Sequence, residues 1–331
     1  MSDLFNPNPF EESEPSARPS IFTANALFLL AGVGLILVSV FGGSIVNFLS
    51  DALHIRTPVH AMIALNALYY LPFLALPYAR TLARCGAERA RLTGISLHMT
   101  LLCIAITPLC MFLVGSLTAL WTPLLARIGI GAGAEMIPLA NANELILGIF
   151  AVAVMPGIFE ELLFRGVVLG AYEVGGTRRA ILISTVLFAT LHGSVQGLPA
   201  QLVMGAVLGY VVVATGSLYA GMMIHTAYNA MMLVINYIVA SGASESAQEY
   251  AAFAASGAGV AAIIVEGLLS LALVLLVLRA FKRHRVSAGI SLAPPAPLRM
   301  TAGEIILLIS GAVTALFLYA DNLFGILRIA A

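Results

Sequence analysis

From Ile21 onward the sequence is a succession of apolar runs, most of them long enough to cross a bilayer, separated by short polar stretches. A spanning helix needs about 20 apolar residues, because the hydrocarbon core is about 30 Å thick. Nine runs can be drawn, at about 21–48, 59–78, 97–120, 144–170, 180–192, 199–214, 218–240, 260–278 and 302–319, with eight spans as the alternative count. Only 10% of the 331 residues are charged and 60% are hydrophobic, whereas a soluble domain carries about 25% charged residues. The chain is therefore read as all-α, a polytopic transmembrane helical bundle in the lipid bilayer. A β-barrel would show short alternating strands in place of continuous runs. The formal net charge is zero, and nothing suggests a nucleic-acid partner.

Residues 1–20 are polar, acidic and proline-bearing, with Arg18 as the only basic residue. They lack the basic n-region of a secretory signal and read as a disordered cytoplasmic tail. Helices of an N-terminal transmembrane region (21–143), a central core (144–240) and a C-terminal transmembrane region (241–331) follow. The loop 122–143 has room for a re-entrant or interfacial turn after Trp121, an interfacial anchor. With the amino terminus inside, the connectors holding Arg80, Arg84, Arg89, Arg91, Arg178, Arg179, Arg279, Lys282, Arg283, Arg285 and Arg299 are all cytoplasmic. The outer side then keeps only Arg56, Arg127 and Arg328. This bias places the amino terminus in the cytoplasm and the carboxyl terminus outside. The expected location is a prokaryotic plasma membrane, from compactness and the absence of organellar targeting. Cys85, Cys103 and Cys110 form no metal-type cluster, and Cys103 and Cys110, seven apart in one apolar run, read as small packing residues.

Within the fourth run stands MPGIFEELLFRG, Met155 to Gly166, two glutamates and an arginine among apolar residues. A charge at the bilayer centre costs about 2.5–3.5 kcal/mol on insertion scales, so such groups are paired, wet or chemically employed. Glu161 and Arg165 are i and i+4 and share a helix face, the acid leading, which is the better order for an ion pair. Glu160 is rotated about 100° away and is left free. Two further spans carry polar residues at helical spacing: Phe188 with His192, and His225 with Asn229. A carboxylate, two imidazoles and a carboxamide can bind and deprotonate water and stabilise an oxyanion. Counting about 1.5 Å per residue from the connector between runs four and five, Glu160 and His192 come out level and His225 shallower. Tilt or a bent helix would be needed to unite them.

In order and spacing, E-E-x-x-x-R (Glu160, Glu161, Arg165), F-x-x-x-H (Phe188, His192) and H-x-x-x-N (His225, Asn229) resemble the CAAX-protease and bacteriocin-processing family of intramembrane glutamic endopeptidases. The resemblance covers about 145–240. It implies hydrolysis of a peptide bond in a membrane-associated protein or peptide by glutamate-activated water, with no cofactor. Glu160 would be the base, His192 its assistant, and His225 with Asn229 the oxyanion hole. Glu161, Arg165 and Phe188 would be structural support.

Two other readings stand beside this one. Glu160, His192 and His225 could supply the three ligands of a catalytic zinc, although no H-E-x-x-H is present. A non-enzymatic proton-coupled transporter or scaffold could use Glu160 with Glu266, a second carboxylate inside a span. Glu266 lies outside the family pattern and is open either to lining the same cavity or to pairing with an interior polar group.

Overall fold

In lipid the backbone of each segment must satisfy its own hydrogen bonds, so apolar runs cross as helices. A computed structural model describes residues 18–53, 58–86, 91–131, 139–242 and 253–329. The expected disordered tail, up to residue 17, and the stretch 243–252, which holds Glu245 and Glu249, lie outside the described residues. Nine long helices, and no strand, are found among the described residues: α1 Ile21–Leu53, α2 Pro58–Cys85, α3 Leu97–Arg127, α4 Ala142–Gly175, α5 Thr177–Leu191, α6 Leu198–Thr215, α7 Leu218–Gly242, α8 Gly257–Ser287 and α9 Ala302–Ile329. Eight are long and apolar enough to cross a membrane; the exception is α5, with 15 residues. The chain is an integral membrane protein.

Several helices outrun their apolar runs. α3 continues through Pro123 to Arg127, so the first part of the expected loop after Trp121 is helical. α8 carries its cationic cluster on its last turns and ends beyond His284 and Arg285, where the carbonyl end of the helix favours positive charge. Side-chain caps open the helices at Ser96, Asn141 and Ser256, whose oxygens accept from backbone N–H groups of the first turn.

Packing gathers two hydrophobic cores. The first draws on α1, α2, α4 and α5 through residues such as Phe28, Tyr69, Phe164, Leu169 and Phe188. The second draws on α3, α6, α7 and α8 through Ile106, Leu208, Ile224, Tyr228 and Phe281. Large apolar side chains such as Phe41, Phe48, Leu268 and Phe317 point outward, as a lipid-facing flank requires. Gly205 and Gly209 lie at the α5–α6 contact, where an added Cβ would press on Thr185 and Ile181. Small residues at such positions let helices approach closely.

The helices alternate in direction, so their ends form two sets. At one end Arg18 and Arg91 both reach Glu173, at 3.9 and 2.7 Å. Leu218 N–H donates to the Arg91 carbonyl, and Ala296 N–H to that of Gly175. At the other end the indole N–H of Trp121 donates to the Val195 carbonyl at 2.9 Å, tying α3 to the α5–α6 turn. α4 is not a uniform helix. Five residues before Glu160–Glu161 and seven after them, Phe150–Val154 and Leu162–Val168, are wound as π turns. Pro156, which lacks an N–H to give the preceding turn, follows the first of them. Such turns recur at functional sites in helices.

Candidate active site

The seam between the two cores is where α4 and α7 run antiparallel in close register. Leu218 packs on Gly166, and a Cβ on Gly221 would lie 2.7 Å from Glu161 Oε2. One on Gly157 would strike Thr226, whose backbone N is 2.9 Å away. Asn229 Nδ2 closes the series by donating to the Val152 carbonyl at 3.2 Å. This register removes the depth mismatch expected for His225. α7 begins beside Gly166, well inside the end of α4 at Gly175, so no exceptional tilt is needed to bring His225 level with the glutamates.

Glu161 and Arg165 are fully buried, and Arg165 Nη1 donates to Glu161 Oε1 at 2.6 Å. The guanidinium also donates through Nη2 to the Gly205 carbonyl and sits 4.4 Å from the centre of the Phe188 ring. Glu161 is not employed by Arg165 alone: His225 Nδ1 lies 3.0 Å from the same Oε1. An ionised carboxylate can only accept, so Nδ1 carries the proton and Nε2 of His225 faces the cavity. His192 is oriented in the same way, its Nδ1 donating to the Phe188 carbonyl at 2.7 Å. The Phe188 ring lies between the two imidazoles, at centroid distances of 4.5 Å to His192 and 5.8 Å to His225.

Glu160 is held differently. Its Oε1 accepts from the Tyr70 hydroxyl at 2.7 Å. Its Oε2 is buried with no hydrogen-bond partner among the described residues, 3.7 Å from His192 Nε2 and 4.0 Å from His225 Nε2. Glu160, His192, His225 and Asn229 all line one cavity of about 430 Å³. A second cavity of about 240 Å³, walled by Leu35, Val38 and Leu65, reaches the same Glu160 and His192 from between α1, α2 and α5. Among the described residues no group of three or more His, Cys, Asp or Glu side chains is gathered to hold a metal ion.

The cavity contains residues that motif reading passed over: Asn66 and Tyr70 on α2, Gln201 on α6 and Asn236 on α7. A signal was present, because Asn66 and Tyr70 are i and i+4 in an apolar run and Asn229 and Asn236 are seven apart. Glu266 does not join the site. It is exposed on the flank of α8, which packs on α3 and α6, and it does not line the cavity.

Residues 142–231 match the family model described as type II CAAX prenyl endopeptidase Rce1-like. The matched stretch contains all three motifs, and it bears out the resemblance to the CAAX-protease family. No curated protein and no solved structure matches the chain.

Proposed function

Taking residues 142–231 as an Rce1-like segment of the CAAX-protease family, we propose that the protein is an intramembrane glutamic endopeptidase. It acts on a peptide bond of a membrane-associated protein or peptide, and needs no cofactor. The observation that carries this reading is Glu160 Oε2, a carboxylate oxygen without a partner, facing two imidazole Nε2 atoms across a cavity. Water held between Glu160 Oε2 and His192 Nε2 gives a proton to the carboxylate as its oxygen attacks the scissile carbonyl carbon. The resulting oxyanion takes hydrogen bonds from the Asn229 N–H not used on Val152 and from His225 Nε2–H. His225 donates there only when its ring carries both protons, a charge that Glu161 at Nδ1 offsets. Glu160 then delivers its proton to the leaving amine, and the C–N bond breaks.

Hydrolysis by zinc on Glu160, His192 and His225 is the competing reading of the same cavity, although the described residues gather no metal-holding group there. One experiment addresses both. New protein amino termini are compared in membranes with and without the protein, before and after incubation with a strong chelator. Termini that appear with the protein and persist under chelation are expected. If none appear with folded, abundant protein, the chain is no protease; if chelation abolishes them, the metal reading replaces the glutamate one.

Tyr70 is a positioning residue in this scheme, since its hydroxyl fixes the Glu160 carboxylate. A hydrogen bond to a charged group contributes about 1.5–3 kcal/mol, so Tyr70→Phe is expected to lower kcat by about 10- to 100-fold. KM should change little. A kcat equal to that of the wild type, or a loss confined to KM, would remove Tyr70 from this role.

A further inference from the structure

The active-site cavity has a closed end and an open end. Moving from Glu160 toward the α4–α5 turn, the next residues of α4 are packed shut. Glu161, Phe164, Arg165, Val167 and Val168 are all buried. In the other direction the lining continues through Val152 and Pro156 on α4, and through Met232 and Asn236 on α7. The first turn of α6, from Gly197 to Gln201, completes the mouth. The mouth thus faces the end of the bundle marked by Trp121 and the α5–α6 turn. Its polar groups are carboxamides, and no lysine or arginine lines it.

Cations are distributed in the opposite sense. Arg80, Arg84, Arg178, Arg179, Lys282 and Arg283 all belong to the closed end, on helix ends and connectors next to the apolar spans. Among the described residues the mouth end holds only Arg127 and, on the last turn of α9, Arg328. Lys and Arg near span ends mark the cytoplasmic side. The assignment does not depend on whether the short α5 crosses, because the α5–α6 hairpin starts and finishes at the basic end.

We propose that the basic, closed end is cytoplasmic and that the cavity takes its substrate from the extracytoplasmic side. The substrate class is then an extended, uncharged stretch of an exported peptide, or of the outer end of a membrane protein. Amides at Asn66, Gln201 and Asn236 are suited to hydrogen-bonding its backbone. That the occupant is cleaved rests on the protease reading; the direction of access does not.

The test uses the full chain in sealed membrane vesicles of both orientations and a negatively charged, membrane-impermeant maleimide. The native cysteines are buried, which leaves introduced ones to report. Asn236→Cys, with Met232→Cys as a second mouth position, should label in right-side-out vesicles and lose that labelling in inverted ones. Arg178→Cys at the basic end should do the reverse. Labelling of Arg178→Cys from the outside overturns the proposal, as does reaction of mouth and basic end from one face. Failure of both mouth positions to react from either face overturns it as well. Labelling needs no turnover, so missing amino termini would defeat the protease reading and leave this result intact.

Discussion

Arg165→Met is expected to destabilise the folded protein by about 3–5 kcal/mol, the range for removing one partner of a buried ion pair. Both side chains are 0% exposed, so Glu161 would keep its charge out of water with only His225 beside it. The same substitution also removes the donor to the Gly205 carbonyl and the cation over Phe188. Thermal unfolding of detergent-solubilised protein would read the loss. Adding Glu161→Leu should return much of the lost stability, because an apolar pair can replace a buried ionic one at little cost. An unchanged unfolding temperature for Arg165→Met alone would show that the pair does not hold α4 to its neighbours.

Glu160→Gln should do the opposite, sparing the fold and removing the reaction. The amide keeps the size of the side chain and an oxygen for the Tyr70 hydroxyl, but it cannot take a proton from water. General-base catalysis is typically worth about 10²–10⁴-fold, and the rate of hydrolysis should fall by about that factor. The measurement is the rate at which new amino termini accumulate, taken with the unfolding temperature of the same sample. A rate equal to that of the wild type, in a protein that unfolds normally, would mean that Glu160 is not the base. Glu160 and Arg165 would thus separate chemistry from architecture within two turns of one helix.

Much of the fold was legible because the bilayer restricts the choice: apolar runs of spanning length have few alternatives to helices. The ends were less legible. Hydropathy marks where lipid stops, not where the helix does, and so the last turns of α3 and α8, with their polar side chains, read as loops. Periodicity placed Glu161 beside Arg165 and turned Glu160 away from it, and the structure does the same, with Oε1 of Glu160 held by Tyr70 and Oε2 left without a partner. Counting depth from connectors failed for His225, because it assumed that every helix starts at the membrane face. Leu218 instead starts α7 against Gly166, and no local pattern in the sequence announces that inset. The bond from Tyr70 to Glu160 spans 90 positions. Its i, i+4 partnership with Asn66 was visible, but not the cavity toward which the pair points. Glu266 stayed open for the converse reason: a carboxylate inside an apolar run says nothing about which flank of the helix carries it.

The shortness of α5 has a consequence for the surrounding lipid. Fifteen residues rise about 22 Å, against a hydrocarbon core of about 30 Å. Leu182 and Val186 face outward from this helix, so acyl chains pack directly on an element too short for them. Mismatch of this kind is relieved by local thinning of the bilayer, at fractions of a kcal/mol per Å. Such thinning would fall beside the end of α5, where the His192 side chain is 31% exposed. Water would then have less hydrocarbon to cross beside α5 than beside the longer spans, on the flank of the cavity that His192 lines.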